Sequence, residues 1–416
     1  MIMNDKDLKA FIKEIRKEVA LKKNPALEFS GRELDHELME IIEAMVFEKA
    51  DQRLLSPEEI KLVVDSVFNQ MRRLDIIEPL VNDREVTEIM INGPDAIFIE
   101  KHGKVIKTDL RFESRERLED IIQAIVGKVN RTVNEAEPVV DARLEDGSRV
   151  NIVLPPIALN GPLVTIRKFP DKPMTMADLI RYGSITEEAA EFLEKLVKAK
   201  YNIFICGGTG SGKTSFLNAL SSLIPKEERI ITIEDSAELQ LSSIENLARL
   251  ETRNANTEGK GEIKMKSLIK TSLRMRPERV IVGEVRGEEA LDMLQAMNTG
   301  HDGSMSTGHS NSTRDMLSRL ETMVLMAAPL PLEAIRQQIA SALDIIIFLS
   351  RLRDHSRRTM EITEVLDYEN GEIRLNPLFA FEYDRNETSG SVKGCLMRTG
   401  NKLVNQTKAE LRGIAL

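Results

Sequence analysis

Hydrophobic positions along this chain change period several times. Over residues 1–60 they recur at helical spacing. Leu38, Ile41, Ile42, Met45 and Val46 fall at i, i+3, i+4, i+7 and i+8, one face of an α-helix. Such a stripe suits a membrane surface or a partner helix, but the mixed charges around it favour the core of a small helical bundle. Ser56-Pro57-Glu58-Glu59 signals a further helix: Ser as N-cap, Pro at the first position, Glu three residues on. Val64, Val67, Phe68 and Met71 carry that helix forward. From Val81 to Phe169 the pattern becomes mixed α/β. Ala96–Glu100 and Val105–Lys107 read as two strands around the turn Lys101-His102-Gly103-Lys104. Leu118, Ile121, Ile122, Ile125 and Val126 predict a helix, and Arg149–Val153 and Leu163–Arg167 predict strands. Phe169–Pro173 is polar and Pro-interrupted, as a linker would be.

Beyond it lie short, unbroken apolar runs. Ile203–Cys206, Arg229–Ile233, Arg279–Val282 and Ile345–Leu349 have the length and content of buried strands. Arg357–Val365 and Glu372–Leu375 flank Asn370-Gly371, a hairpin signal. The final 25 or so residues are polar and read as an appended helix. The expected organisation is a helical segment (1–60), a small mixed α/β domain (61–169), a linker (170–184) and a P-loop α/β domain with a C-terminal appendage (185–416).

The chemistry enters at Gly207-Gly208-Thr209-Gly210-Ser211-Gly212-Lys213-Thr214-Ser215. It fits the pattern G-x-x-x-x-G-K-[ST] at every fixed position. An apolar strand precedes it, and Phe216, Leu217, Leu220 and Leu223 follow at helical spacing. Strand, glycine loop and helix together let backbone N–H groups and the helix N-terminus face phosphate. Lys213 would reach the β- and γ-phosphates, and Thr214 would hold Mg²⁺. A glycine-rich turn with a chance lysine is the bland rival, and the flanking elements speak against it.

Two predicted strands end in acid: Ile233 is followed by Glu234-Asp235, and Val282 by Gly283-Glu284. Ligands of parallel sheets sit at the carboxyl ends of strands. A carboxylate there holds Mg²⁺ or orients the attacking water. One such acid would be read as a helix cap; two downstream of a P-loop favour catalysis. His301 and His309 stand in a glycine-, serine- and threonine-rich stretch, suited to donating to phosphate. Zinc is the weaker idea, since no Cys or further His stands at ligand spacing.

The order of these motifs resembles that of the secretion ATPases, which serve type II secretion, type IV secretion and type IV pilus assembly. The Walker A loop, Ile233-Glu234-Asp235, Val282-Gly283-Glu284-Val285-Arg286 and Thr299-Gly300-His301-x-Gly303-Ser304 match that family's four boxes. Val86–Gly93 resembles the start of its N-domain, and the likeness spans Ile60 to Phe381. It is most similar to the CpaF-type ATPase of Tad (Flp) pilus assembly, through Thr307-Gly308-His309-Ser310-Asn311 and Arg314–Glu321. The resemblance implies a RecA-like fold, hydrolysis of ATP with Mg²⁺, a homo-hexamer and polytopic inner-membrane partners, at the cytoplasmic face of the membrane. It implies that Glu234 orients water, that Glu284 joins Thr214 at the metal, and that His309 and His301 sense the γ-phosphate. It also implies that Arg149 and Arg167 reach the nucleotide from the N-domain; read alone, both would be surface strand residues. Two departures stand out. The four-cysteine zinc module of many type II relatives has no counterpart, and Gly308 replaces a common leucine.

Composition narrows the rest. A chain of 416 residues, 42% hydrophobic and 30% charged, fits two or three globular domains. No apolar run approaches the roughly 20 residues of a membrane-spanning helix, and Met1–Lys6 carries no signal-peptide core. Only Cys206 and Cys395 occur, suggesting a reducing compartment without disulfides. A net charge of −9, 4% aromatics and no Trp argue against stable nucleic-acid binding. A nucleic-acid motor with the same core is the alternative reading; a nucleotide-gated scaffold that does not hydrolyse is a third.

Overall fold

The computed structural model describes residues 5–22, 32–53, 55–129, 131–169, 172–255, 260–383 and 392–416. The chain divides into two compact units, Met1–Asp171 and Lys172–Leu416. Part of the linker expected over Phe169–Pro173, residues 170 and 171, lies outside the described residues.

The first unit opens with three helices, α1 (Asp5–Leu21), α2 (Arg32–Arg53) and α3 (Pro57–Arg72). Their stripes meet in one core of Phe11, Ile15, Leu38, Ile42, Val46, Val63 and Val67, all without exposed surface. The amphipathic stripe of α2 is therefore spent inside a bundle. Ser56 caps α3 as expected: its side chain accepts from Glu59 N–H while Glu59 accepts from Ser56 N–H. A short α4 (Glu78–Asn82) leads into an antiparallel sheet. Its strands are β1 (Val86–Asn92), β2 (Ile97–Lys101), β3 (Lys104–Lys107), β4 (Val139–Arg143), β5 (Arg149–Val153) and β6 (Leu163–Arg167), in the order β3-β2-β1-β6-β5-β4. Helix α5 (Arg115–Lys128) buries Leu118, Ile121, Ile122, Ile125 and Val126 in the core of this sheet. Strand β4 was missed by periodicity, since only Val140 of its five residues is buried.

The second unit is a nine-stranded sheet with helices on both faces. Helices α6 (Met176–Arg181) and α7 (Glu187–Lys198) precede β7 (Ile203–Gly207) and α8 (Lys213–Ser221). There follow β8 (Ile230–Glu234), β9 (Leu247–Glu251), α9 (Met265–Ser272), β10 (Arg279–Val282) and α10 (Glu289–Asn298). Then come β11 (Met305–Gly308), α11 (Thr313–Ala327), α12 (Leu332–Ala342), β12 (Ile345–Arg351), β13 (Arg357–Glu369) and β14 (Glu372–Tyr383). The chain ends with β15 (Gly394–Arg398) and α13 (Thr407–Glu410). The order is β15-β14-β13-β12-β7-β11-β10-β8-β9. From β12 to β9 all pairs are parallel, while β13, β14 and β15 add antiparallel edges. The parallel strands are apolar on both sides: Ile203 and Ile205 enter one core, Phe204 and Cys206 the other. Asn370 and Gly371 both take positive φ, 52° and 88°, and close the β13–β14 hairpin.

The tail corrects one expectation. Residues 392–416 hold a strand, β15, and a single helical turn rather than an appended helix. Leu396, Leu403 and Ala409 are buried one at a time, at no helical period. Between them the backbone is held by polar groups: Val404 and Asn405 N–H donate to the buried Glu364 carboxylate, and Tyr201 Oη donates to Asn405 O at 2.6 Å.

Candidate functional site

In the strand order, β7, β11, β10 and β8 are consecutive and parallel, so their carboxyl ends share one edge. Every loop carrying the predicted chemistry, except that of His301, leaves from that edge. The loop after β7 turns through Gly210 and Gly212, with φ of 72° and 95°, and Gly212 caps α8. A side chain with a Cβ is strained at such angles, which is why the loop needs glycine there.

Lys213 is buried at the start of α8. Its ammonium donates to Gly207 O at 3.2 Å, to Gly208 O at 3.1 Å and to His309 Nδ1 at 3.2 Å. Because Nδ1 accepts, the ring proton belongs on Nε2, which lies 2.8 Å from Glu284 Oε1 in a close contact that is not lined up as a hydrogen bond. Burial and the neighbouring Lys213 cation hold the His309 pKa down, in keeping with a neutral ring. Glu284 also accepts from Arg286 Nη2 at 2.7 Å. The loop carrying it is stapled to β11: Thr307 Oγ1 donates to Gly283 O, and Val285 N–H donates to Thr307 O.

Glu234, at the end of β8, is 3% exposed. Its Oε1 accepts N–H bonds from Glu238 and Leu239, both 2.9 Å, while Oε2 is buried with no partner. Burial outweighs those bonds and pushes the carboxyl up to about 7. An acid poised near neutrality, with a free buried oxygen, is equipped to hold a water.

Mg²⁺ takes hard oxygen ligands and uses one or two protein groups beside phosphate oxygens and water. Among the described residues no cluster of three or more His, Cys, Asp or Glu could form an all-protein cage. Thr214 on the first turn of α8 and the carboxylate of Glu284 fit the smaller requirement.

His301 stands elsewhere. It precedes β11, whereas His309 follows it, so the two lie beyond opposite ends of a strand that is itself about 10 Å long, at ~3.3 Å per step. His301 Nδ1 is 3.3 Å from Ala296 O, and its carbonyl accepts from Ser304 Oγ. The structure thus separates His301 from the phosphate loop. The spacing of the two histidines on either side of β11 was the signal that could have shown this.

Arg149 and Arg167 belong to the first unit, where they are direct register partners on β5 and β6. Arg143 on β4 faces Arg149, and Glu88 on β1 faces Arg167. Three cations and the Glu88 carboxyl thus share one row, with Arg167 between Arg149 and Glu88. The motifs gave no role to Arg143, Arg286 or Arg357; the last donates from Nε to Gly210 O in the phosphate loop at 2.9 Å.

The family model described as Type II/IV secretion system protein matches residues 70–400. This chain belongs to that family. A putative conjugal transfer protein of Mycobacterium tuberculosis is 33% identical over 327 residues, covering 77% of this chain and 92% of its own. The type IV secretion system protein PtlH of Bordetella pertussis is 32% identical over 304 residues, covering 67% and 89%. The solved structure of the pilus retraction motor PilT with bound ADP covers 82% of this chain and 86% of its own, with a TM-score of 0.51 and 17% identity. At that identity PilT speaks for the fold alone, RecA-like with a P-loop. Nucleotide binding follows from membership of the type II/IV secretion family. Among the described residues no helix is long and apolar enough to cross a membrane.

Proposed function

We propose that this type II/IV secretion family member hydrolyses ATP with Mg²⁺ to drive an envelope machine, and that the machine is a Tad/Flp-type pilus. The observation that carries the hydrolytic reading is the unbroken contact series Lys213–His309–Glu284 at the phosphate loop. Phosphoryl transfer to water needs positioning and charge neutralisation rather than covalent chemistry. Loop N–H groups and Lys213 bind the phosphates. Thr214 and Glu284 would hold Mg²⁺, which would supply charge neutralisation at the phosphates. Glu234 aligns the attacking water with its unpartnered oxygen. His309 links the phosphate-binding lysine to Glu284, so a γ-phosphate that draws Lys213 away alters what Glu284 sees. Arg149 and Arg167 are the cations proposed for the nucleotide's phosphates, and release of the γ-phosphate would end that differential contact.

A homo-hexamer docking on polytopic inner-membrane proteins, at the cytoplasmic face, completes this reading. DNA transfer is the second reading of the cargo, because relatives carry conjugal-transfer names. Phosphate release by the full chain with Mg-ATP, with and without DNA, tests both. Hydrolysis that DNA leaves unchanged supports the pilus reading; strong DNA stimulation favours the other.

A further inference from the structure

Arg286 stands two residues after Glu284, on the loop between β10 and α10. Its backbone is fixed on both sides. Val285 is fully buried, and its N–H donates to Thr307 O at 2.9 Å. The N–H groups of Arg286 and Gly287 both donate to Glu289 Oε1, at 2.6 and 2.9 Å. From that anchored position the guanidinium turns back onto the edge of the sheet. Nη2 donates to Glu284 Oε2 at 2.7 Å, and Nη1 lies 3.9 Å from Asp235 Oδ2. Asp235 is tethered in turn, accepting from Thr252 Oγ1 at 3.3 Å. One cation thus joins the acids on the loops that follow β8 and β10.

The sheet explains why a cation is needed there. Strands β8 and β10 are parallel neighbours, with Ile233 level with Val282. Carrying that register on by two positions sets Asp235 level with Glu284. Like charges opposite each other on adjacent strands repel. Arg286 offsets the repulsion, with a charged hydrogen bond at one carboxylate and a nearby charge at the other. The Asp235 contact is long and exposed, so it contributes little. The Glu284 bond matters more. Glu284 Oε1 is buried and accepts no hydrogen bond, so among the described residues the bond from Arg286 is the one its carboxylate accepts. We infer that Arg286 is a positioning residue: it aims the Glu284 carboxylate and has no contact of its own with the nucleotide. The inference rests on the hydrolytic reading of Glu284 and extends it.

The test measures ATP Kd by calorimetry and phosphate release in single turnovers of Mg-ATP, on the full chain. The Arg286 side chain is 59% exposed, so Arg286→Ala should fold. It should slow hydrolysis about ten- to a hundredfold, as a misplaced catalytic group does, and leave ATP Kd within about twofold. Arg286→Lys keeps the charge without the planar fork, and should recover part of the rate. In a Glu284→Ala background, Arg286→Ala should slow hydrolysis no further, because its effect passes through Glu284. Losses that multiply in the double variant overturn the inference. So does an unchanged rate in Arg286→Ala, or a loss confined to ATP affinity. Those three results leave the hydrolytic reading standing. A wild-type chain that binds ATP and releases no phosphate overturns the inference together with that reading.

Discussion

His309 Nε2 and Glu284 Oε1 meet at 2.8 Å, across the gap between the ends of β11 and β10. Burial and the Lys213 cation lower the His309 pKa and so favour the neutral imidazole, whose other nitrogen accepts from Lys213, so the ring couples the phosphate-binding cation to the acid. His309→Ala should therefore bind ATP nearly as well as the wild type but hydrolyse it roughly 10- to 100-fold more slowly, the equivalent of one charge-assisted hydrogen bond of about 1.5–3 kcal/mol. Separate measurement of kcat and nucleotide Kd checks this. A variant with normal kcat and lost affinity would make His309 a binding group only.

Glu234 carries a pH signature. Burial raises its folded pKa to about 7, above the 4.5 of an exposed glutamate. The folded state thus binds the extra proton between those values. The stabilisation it brings is complete below the lower value and is lost as pH rises through the upper one. Glu234→Gln cannot ionise, so its Tm should gain on the wild type as pH goes from 5 to 8. The acidic limb of kcat/KM near pH 7 should vanish with it. Parallel Tm curves for the two proteins would place the Glu234 pKa elsewhere.

Gly283 packs against that same acid. A Cβ at Gly283 would stand 2.9 Å from Glu234 Cγ, closer than side chains tolerate. Gly283→Ala should fold, displace Glu234 and cut turnover at least tenfold, with little change in ATP affinity. Turnover near the wild-type value would show that the position of Glu234 is immaterial.

Much of this edge was legible in the sequence, and for a physical reason. Strands buried on both faces appear as unbroken apolar runs, and the P-loop, Glu234 and Glu284 all follow such runs directly. The hairpin at Asn370-Gly371 was equally plain, because few residues accept two positive φ angles in succession. What escaped is set by long-range packing. Strand β4 buries one side chain, so no alternation reveals it. Arg357 is 147 positions from Gly210, and nothing local announces their bond. His301 looks like a partner of His309 until β11 is seen to separate them. The tail reads as polar, yet it is held by isolated buried residues and by the carboxylates of Glu364 and Asp344.

The cation row on β5 and β6 separates stability from binding. Arg149 and Arg167 are register partners, and like charges facing each other repel. Arg167→Thr relieves that repulsion and gives up the attraction to Glu88, so Tm should change little. It should weaken ATP more than ADP, since one phosphate fewer needs a cation. Equal losses for the two nucleotides would remove Arg167 from the γ-phosphate.

Hydrolysis of ATP is proposed for the edge built around Lys213. The direct measurement is phosphate release from Mg-ATP by the full chain and by two variants, together with ATP binding. The account expects steady turnover by the wild type and background turnover by Lys213→Ala. It expects Glu234→Gln to bind ATP yet release phosphate on the order of 10²–10³ more slowly. Wild-type turnover in the Lys213→Ala protein, or no turnover in a wild-type chain that binds ATP, would contradict it.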